Sequence, residues 1–151
     1  MRYNKWTHEK TISPVLLVKM ITVMETMNEK ERKPIVVHGS QGIRRTAVFV
    51  ITSLLIRQVR PSGLIIYVTF SRKQESIAKT RRMSVLKAAM AVCRRRYGVL
   101  RFVADYRLAL QSALCYAKEC DLIKNEKTFM DAINVSESPS CNRFANETIF
   151  V

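Results

Sequence analysis

The sequence predicts an α/β domain, and three stretches carry that prediction. The run "PIVV" (34–37) is apolar, β-branched and introduced by a proline, which reads as a buried strand. It enters the loop "HGSQGIR" (38–44) and then "RTAVFVITSLLIRQV" (45–59), whose apolar positions go almost all the way round and predict a deeply buried helix. After the turn "RPSG", the run "LIIYVTF" (64–70) is rich in β-branched and aromatic residues and reads as a second strand. The expected architecture is a short strand, a glycine-bearing loop and a helix, followed by two or more amphipathic helices.

The other elements follow in order. Ser13 is a plausible N-cap and Pro14 fits the first helical position, so a helix is expected from there to about Asn28. "NEKERK" is a charged link. "MSVLKAAMAVCRRRYG" (83–98) is a helix closed by Gly98, and "ADYRLALQSALCYAKECDLI" (104–123) is a last amphipathic helix. "SRKQESIAKTRR" (71–82) is polar, and "NVSESPSCNRFANETIFV" (134–151) has no period. The organisation expected is one partial domain over residues 1–122 and a poorly ordered tail over 123–151.

Composition narrows the class. The chain has 151 residues, 48% apolar and 25% charged, which suits one folded domain with a modest core. No apolar run is long enough to span a bilayer, and "MRYNKWTHEK" does not read as a signal peptide. Cys93, Cys115, Cys120 and Cys141 show no C-x-x-C spacing, which fits reduced thiols in a cytosolic or nuclear protein. Nothing calls for a metal or a cofactor. The net charge of +14 is uneven: residues 71–107 hold eleven Lys/Arg against Glu75 and Asp105, while residues 119–151 hold three against six Asp/Glu. That basic stretch, with Arg94, Arg95 and Arg96 at its centre, suits a polyanion or a phosphorylated partner, and equally a solvated helix face.

Strand, "HGSQGIRRT", helix resembles the signature of the protein tyrosine phosphatases, H-C-S-x-G-x-G-R-S/T-G. His38, Ser40, Gly42, Arg45 and Thr46 match; Gly39 stands where the catalytic cysteine belongs, and Arg44 and Ala47 stand where the family has glycines. Upstream, "WTHEKTISP" is similar to the family's W-P-D loop, with Trp6 matching, Thr7 in place of the proline and His8 in place of the acid. Downstream, "RRRYGVLRFVADY" is similar to the segment that ends in the Q-T-x-x-Q loop, with Arg101 and Asp105 where the glutamines fall. The resemblance runs from Trp6 to about Lys118. Residues 64–79 have no counterpart and read as an insertion. It covers only the C-terminal part of the family's domain, without the loop that grips the phosphotyrosine ring.

The resemblance implies a partial protein tyrosine phosphatase-like fold and a specific loss. In the family a thiolate attacks phosphorus, an arginine forks onto phosphoryl oxygens, an aspartic acid protonates the leaving group, and a glutamine positions water. Gly39, His8 and Arg101 occupy the positions of nucleophile, acid and glutamine, so no catalytic residue is intact. What remains is a phosphate-binding loop of Ser40, Gln41, Gly42, Ile43, Arg44 and Arg45. Ser40 has no positioned base, His8 reads best as a surface-loop residue, and His38 as an organiser of the loop. A decayed nucleotide-binding loop, G-x-x-x-x-G-K-S/T, fits less well, because Arg44 stands where its second glycine is needed.

The function expected is a protein tyrosine phosphatase-like domain that does not hydrolyse and that binds phosphate groups or phosphoprotein partners. The alternatives are a charge-driven polyanion or nucleic-acid binder, and a fragment without independent function.

Overall fold

The structure is a computed structural model that describes residues 3–7, 11–59 and 84–137. Among these it has five helices: α1 (Pro14–Glu31), α2 (Arg45–Val59), α3 (Val85–Cys93), α4 (Val103–Glu119) and α5 (Glu126–Glu137).

Helix α1 begins as its sequence dictates. The Ser13 hydroxyl accepts from the Leu16 N–H at 3.2 Å, Pro14 takes the first turn, and Arg32 ends the helix in the left-handed region. Its inward residues Leu17, Val18, Ile21 and Glu25 recur at helical spacing and are buried. Helix α2 is buried on most of its circumference, at Ala47, Val48, Ile51, Thr52, Ser53, Leu55 and Ile56, so the near-continuous apolar reading of this segment is met by helices on several sides.

Helix α4 is the centre of the packing, against α1, α2 and α5, while α2 also packs on α3 and α1. Small side chains make that centrality feasible: Ala109, Ser112, Ala113 and Ala117 let neighbouring helices approach closely. The buried Ser112 hydroxyl is satisfied by its own helix, donating to the Leu108 carbonyl at 2.6 Å. The Arg57 guanidinium reaches the buried Glu25 carboxylate at 3.1 Å and ties α2 to α1. The Ser84 N–H donates to Gln58 Oε1 at 3.0 Å and joins the start of α3 to the end of α2.

The expected α/β class is overturned. Among the described residues there is no strand, and the fold is helical. Residues 34–37 do not form the predicted buried strand; Val36 is 83% exposed. A strand is held by a ladder to its neighbours, and the described residues offer this run no partner. The second predicted strand (64–70), the unmatched segment 64–79 and the basic residues 71–82 lie outside the described residues. Glu126–Glu137 is helical, within the stretch whose sequence suggested poor order. It docks on α4 through Lys118, which meets Glu126 at 2.7 Å and lies 4.4 Å from the Phe129 ring centroid.

Candidate functional site

The loop 38–44 leads directly into α2, and the first intrahelical bond there runs from the Val48 N–H to the Arg44 carbonyl at 2.9 Å. Gly39, Ser40 and Gln41 are exposed, whereas Gly42, Ile43, Arg44 and Arg45 are half-buried. Gly42 has φ +66°, a left-handed conformation that glycine adopts without strain. Of the six residues expected to hold a phosphate, 40–44 therefore form one continuous bend and Arg45 opens the helix that follows.

Gly39 is confined although it faces solvent. A Cβ built there would lie 2.9 Å from Thr46 Oγ1, too close for an unshifted contact. A side chain at position 39 would thus crowd the Thr46 hydroxyl in the first helical turn.

Arg45 donates through Nη1 to the carbonyl of Trp6, so the tryptophan of the upstream motif and the arginine of the loop come together across 39 residues of sequence. His8, at the acid position, lies outside the described residues.

Arg44 does not project freely over the loop. Its Nε and Nη2 donate to Asp105 Oδ2 and Oδ1, both at 3.0 Å, in a bidentate pair. Its guanidinium also lies 4.1 Å from the Phe102 ring centroid. Asp105 sits in the first turn of α4, where a carboxylate is favoured by the helix dipole, and is 5% exposed. The hydrogen bond to Asp105 raises the Arg44 pKa above its ordinary value, against a lesser lowering by burial.

A third cation reaches the loop from the turn after α3. Exposed Arg96 donates from Nη2 to the Gln41 carbonyl at 2.7 Å, and Nη2 lies 3.2 Å from where a Cβ on Gly42 would stand. Gly42 thus leaves room for this guanidinium to lie against the loop. The turn is shaped by Gly98 at φ +81° and by buried Leu100 at φ +57°, a left-handed residue that is not glycine. Arg101, at the glutamine position, is exposed and turned back on this segment, 5.7 Å from the Tyr97 ring centroid. Arg94 and Arg95 are exposed beside it.

Three of these relationships escaped the sequence reading: the Arg44–Asp105 pair, the Arg45–Trp6 contact and the Arg96 contact. The signal for the first was present. Two positions depart from the signature together, one gaining a cation and the other an anion. Among the described residues no group of three His, Cys, Asp or Glu side chains could hold a metal ion. No helix there is long and apolar enough to cross a membrane.

The protein-tyrosine phosphatase family model matches residues 1–113, three quarters of the chain. The chain belongs to the protein-tyrosine phosphatase family. No curated protein and no solved structure matches it.

Proposed function

We propose that this domain is a non-hydrolytic member of its family, a pseudophosphatase that binds phosphate groups on phosphoprotein partners through residues 40–45. The observation that carries the reading is the contrast between Gly39 and Arg45. The nucleophile position has no side chain and its Cβ space is closed by Thr46, while the phosphate-gripping arginine and the left-handed Gly42 remain. An anion at the start of α2 would meet backbone N–H groups, the helix dipole and one unpaired edge of guanidinium. Without a thiolate, no side chain of residues 38–44 itself carries a negative charge against a phosphate dianion.

Binding is weak in this reading, because all three nearby arginines already serve internal partners: Arg44 the Asp105 carboxylate, Arg45 the Trp6 carbonyl and Arg96 the Gln41 carbonyl. The test is titration of a phosphotyrosine peptide and of inorganic phosphate into the purified chain, with phosphate release followed in parallel. Saturable binding without release supports the proposal; turnover abolished by Arg45→Ala defeats it.

A second reading is favoured by the segment 94–101. Arg94, Arg95, Arg96 and Arg101 are all exposed there, and Tyr97 is 90% exposed, a combination suited to a polyanion with bases or rings to stack. That reading gives steeply salt-dependent binding with little sequence preference. Competition by phosphotyrosine separates it from the first.

A further inference from the structure

The Arg44–Asp105 pair stands in an unusual relation to the loop. Arg44 adds a cation to the sequence of the phosphate-binding bend, yet the Nε/Nη2 edge of that cation is turned onto a carboxylate from α4. We infer that Asp105 is a built-in anion of this loop, holding the Arg44 fork that a phosphate would otherwise engage, and that it thereby sets how tightly the loop takes a phosphate group. The inference rests on the reading that residues 40–45 bind phosphate, and deepens it.

The chemistry is one of substitution. A carboxylate presents two oxygens to a guanidinium in the same parallel arrangement as two phosphoryl oxygens, so the two compete for one fork. Asp105 has the advantage of being covalently held, close, and shielded: its side chain is 7% exposed, against 30% for Arg44. A phosphate that drew Arg44 away would leave a carboxylate buried without its counter-ion, which is strongly unfavourable. The Phe102 ring against the guanidinium adds a second restraint on the same side chain. Arg45 is restrained differently, since its contact is a neutral backbone carbonyl at Trp6, which neutralises no charge. Arg96 likewise keeps its charge, because its partner is the Gln41 carbonyl. Of the three arginines, Arg44 is therefore the one whose charge is cancelled at the loop, and Asp105 is what cancels it.

The experiment is a titration of inorganic phosphate into the full chain, followed by the Gly42 amide resonance, for the wild type, Asp105→Asn, and Asp105→Asn combined with Arg44→Met. Asn keeps the shape and one acceptor for Arg44 while removing the charge. Asp105→Gln, which places the family's own residue type there, serves as a second neutral variant should the first melt early. The expected result is phosphate affinity at least about fivefold tighter in the neutral variants, the order of effect of one uncancelled unit charge a few ångströms away at a protein surface. That gain disappears in the Arg44→Met background. Unchanged or weaker binding in folded Asp105→Asn or Asp105→Gln overturns the inference alone, since wild-type binding then survives as evidence for the loop. Binding by the neutral variants but not by the wild type supports it in its strongest form. No response from any folded variant overturns both this inference and the phosphate-binding reading beneath it.

Discussion

Arg44 and Asp105, 61 residues apart, meet through two hydrogen bonds of 3.0 Å each, and both stand at positions where the family signature has neither charge. The pair joins the loop to the first turn of α4, so it positions the loop as well as altering its charge. Its two halves are not equivalent. Removing Arg44 leaves a nearly buried carboxylate alone, whereas removing Asp105 leaves a cation that is 30% exposed and can be hydrated. Arg44→Ala is expected to destabilise by about 3 kcal/mol, toward the low end for broken buried pairs because of that partial exposure. Asp105→Ala is expected to cost less, and the apolar pair Arg44→Met with Asp105→Leu to be nearly neutral. Denaturant unfolding of the single and paired variants measures this. Equal costs for the two alanine variants would contradict the asymmetry.

The space at Gly39 sets a second expectation. A methyl group there meets Thr46 Oγ1 at 2.9 Å, and the hydroxyl belongs to a β-branched side chain with few rotamers to retreat into. Gly39→Ala should lower stability by about 1–2 kcal/mol through overcrowding. Thr46→Ala should recover most of that loss, an interaction visible in a double-mutant cycle. Gly39→Cys, which restores the family's thiol, should suffer the same crowding. With His8 and Arg101 in place it is expected to give at most slow formation of a trapped phosphocysteine. Mass spectrometry after exposure to a phosphotyrosine substrate detects that adduct, and efficient turnover would show that the other replacements matter little.

Much of the helical framework could be read from the sequence, because its determinants are local. Ser13 and Pro14 define the start of α1, and the apolar circumference of residues 45–59 defines a buried helix without reference to anything distant. Residues 34–37 misled for the opposite reason. β-branched side chains state a preference, but a strand exists only with a partner, and no partner is written into the run itself. Helix α5 did carry a faint signal in Phe129, Ala132 and Ile133, half-buried at helical spacing, with Asn125 accepting from the Lys127 N–H at 2.9 Å at its start. At the loop, the signature residues were legible one by one. Their pairings were not, because Arg44 with Asp105, Arg45 with Trp6 and Arg96 with Gln41 each depend on how distant segments come together.

The thiols give a pH-dependent expectation. Partial desolvation pushes the Cys93 thiol, which still reaches the surface, above its ordinary pKa, with a smaller opposing effect from a backbone hydrogen bond. Burial does the same for Cys115, helped by Glu119 and opposed by Lys118. In both cases the unfolded chain ionises first as pH rises. The native state therefore loses stability progressively as pH climbs from the ordinary thiol range, about 8.5, through the raised native values. Thermal melts compared between the wild type and Cys115→Ala should diverge in slope above that range and run parallel below it. Alkylation of the half-buried Cys115 at neutral pH should be slow while the protein is folded.

Hydrolysis should be absent. General acid catalysis by a positioned group is worth about a hundred- to ten-thousandfold, and here the nucleophile position lacks a side chain as well. Phosphate release from a phosphotyrosine peptide should stay at the buffer rate and be unaffected by Arg45→Ala. Release that depends on Arg45 would mean that some other side chain has taken the nucleophile's place.

The central claim is that the loop holds phosphate without acting on it, and backbone amides report this most directly. Inorganic phosphate titrated into isotopically labelled protein at low salt is expected to shift the Gly39 and Gly42 amide resonances along saturable millimolar curves. The response should be lost in Arg45→Ala and weakened by added salt. Amides that do not move at high millimolar phosphate, in a protein shown to be folded, would mean that residues 40–45 form a turn and not a phosphate site.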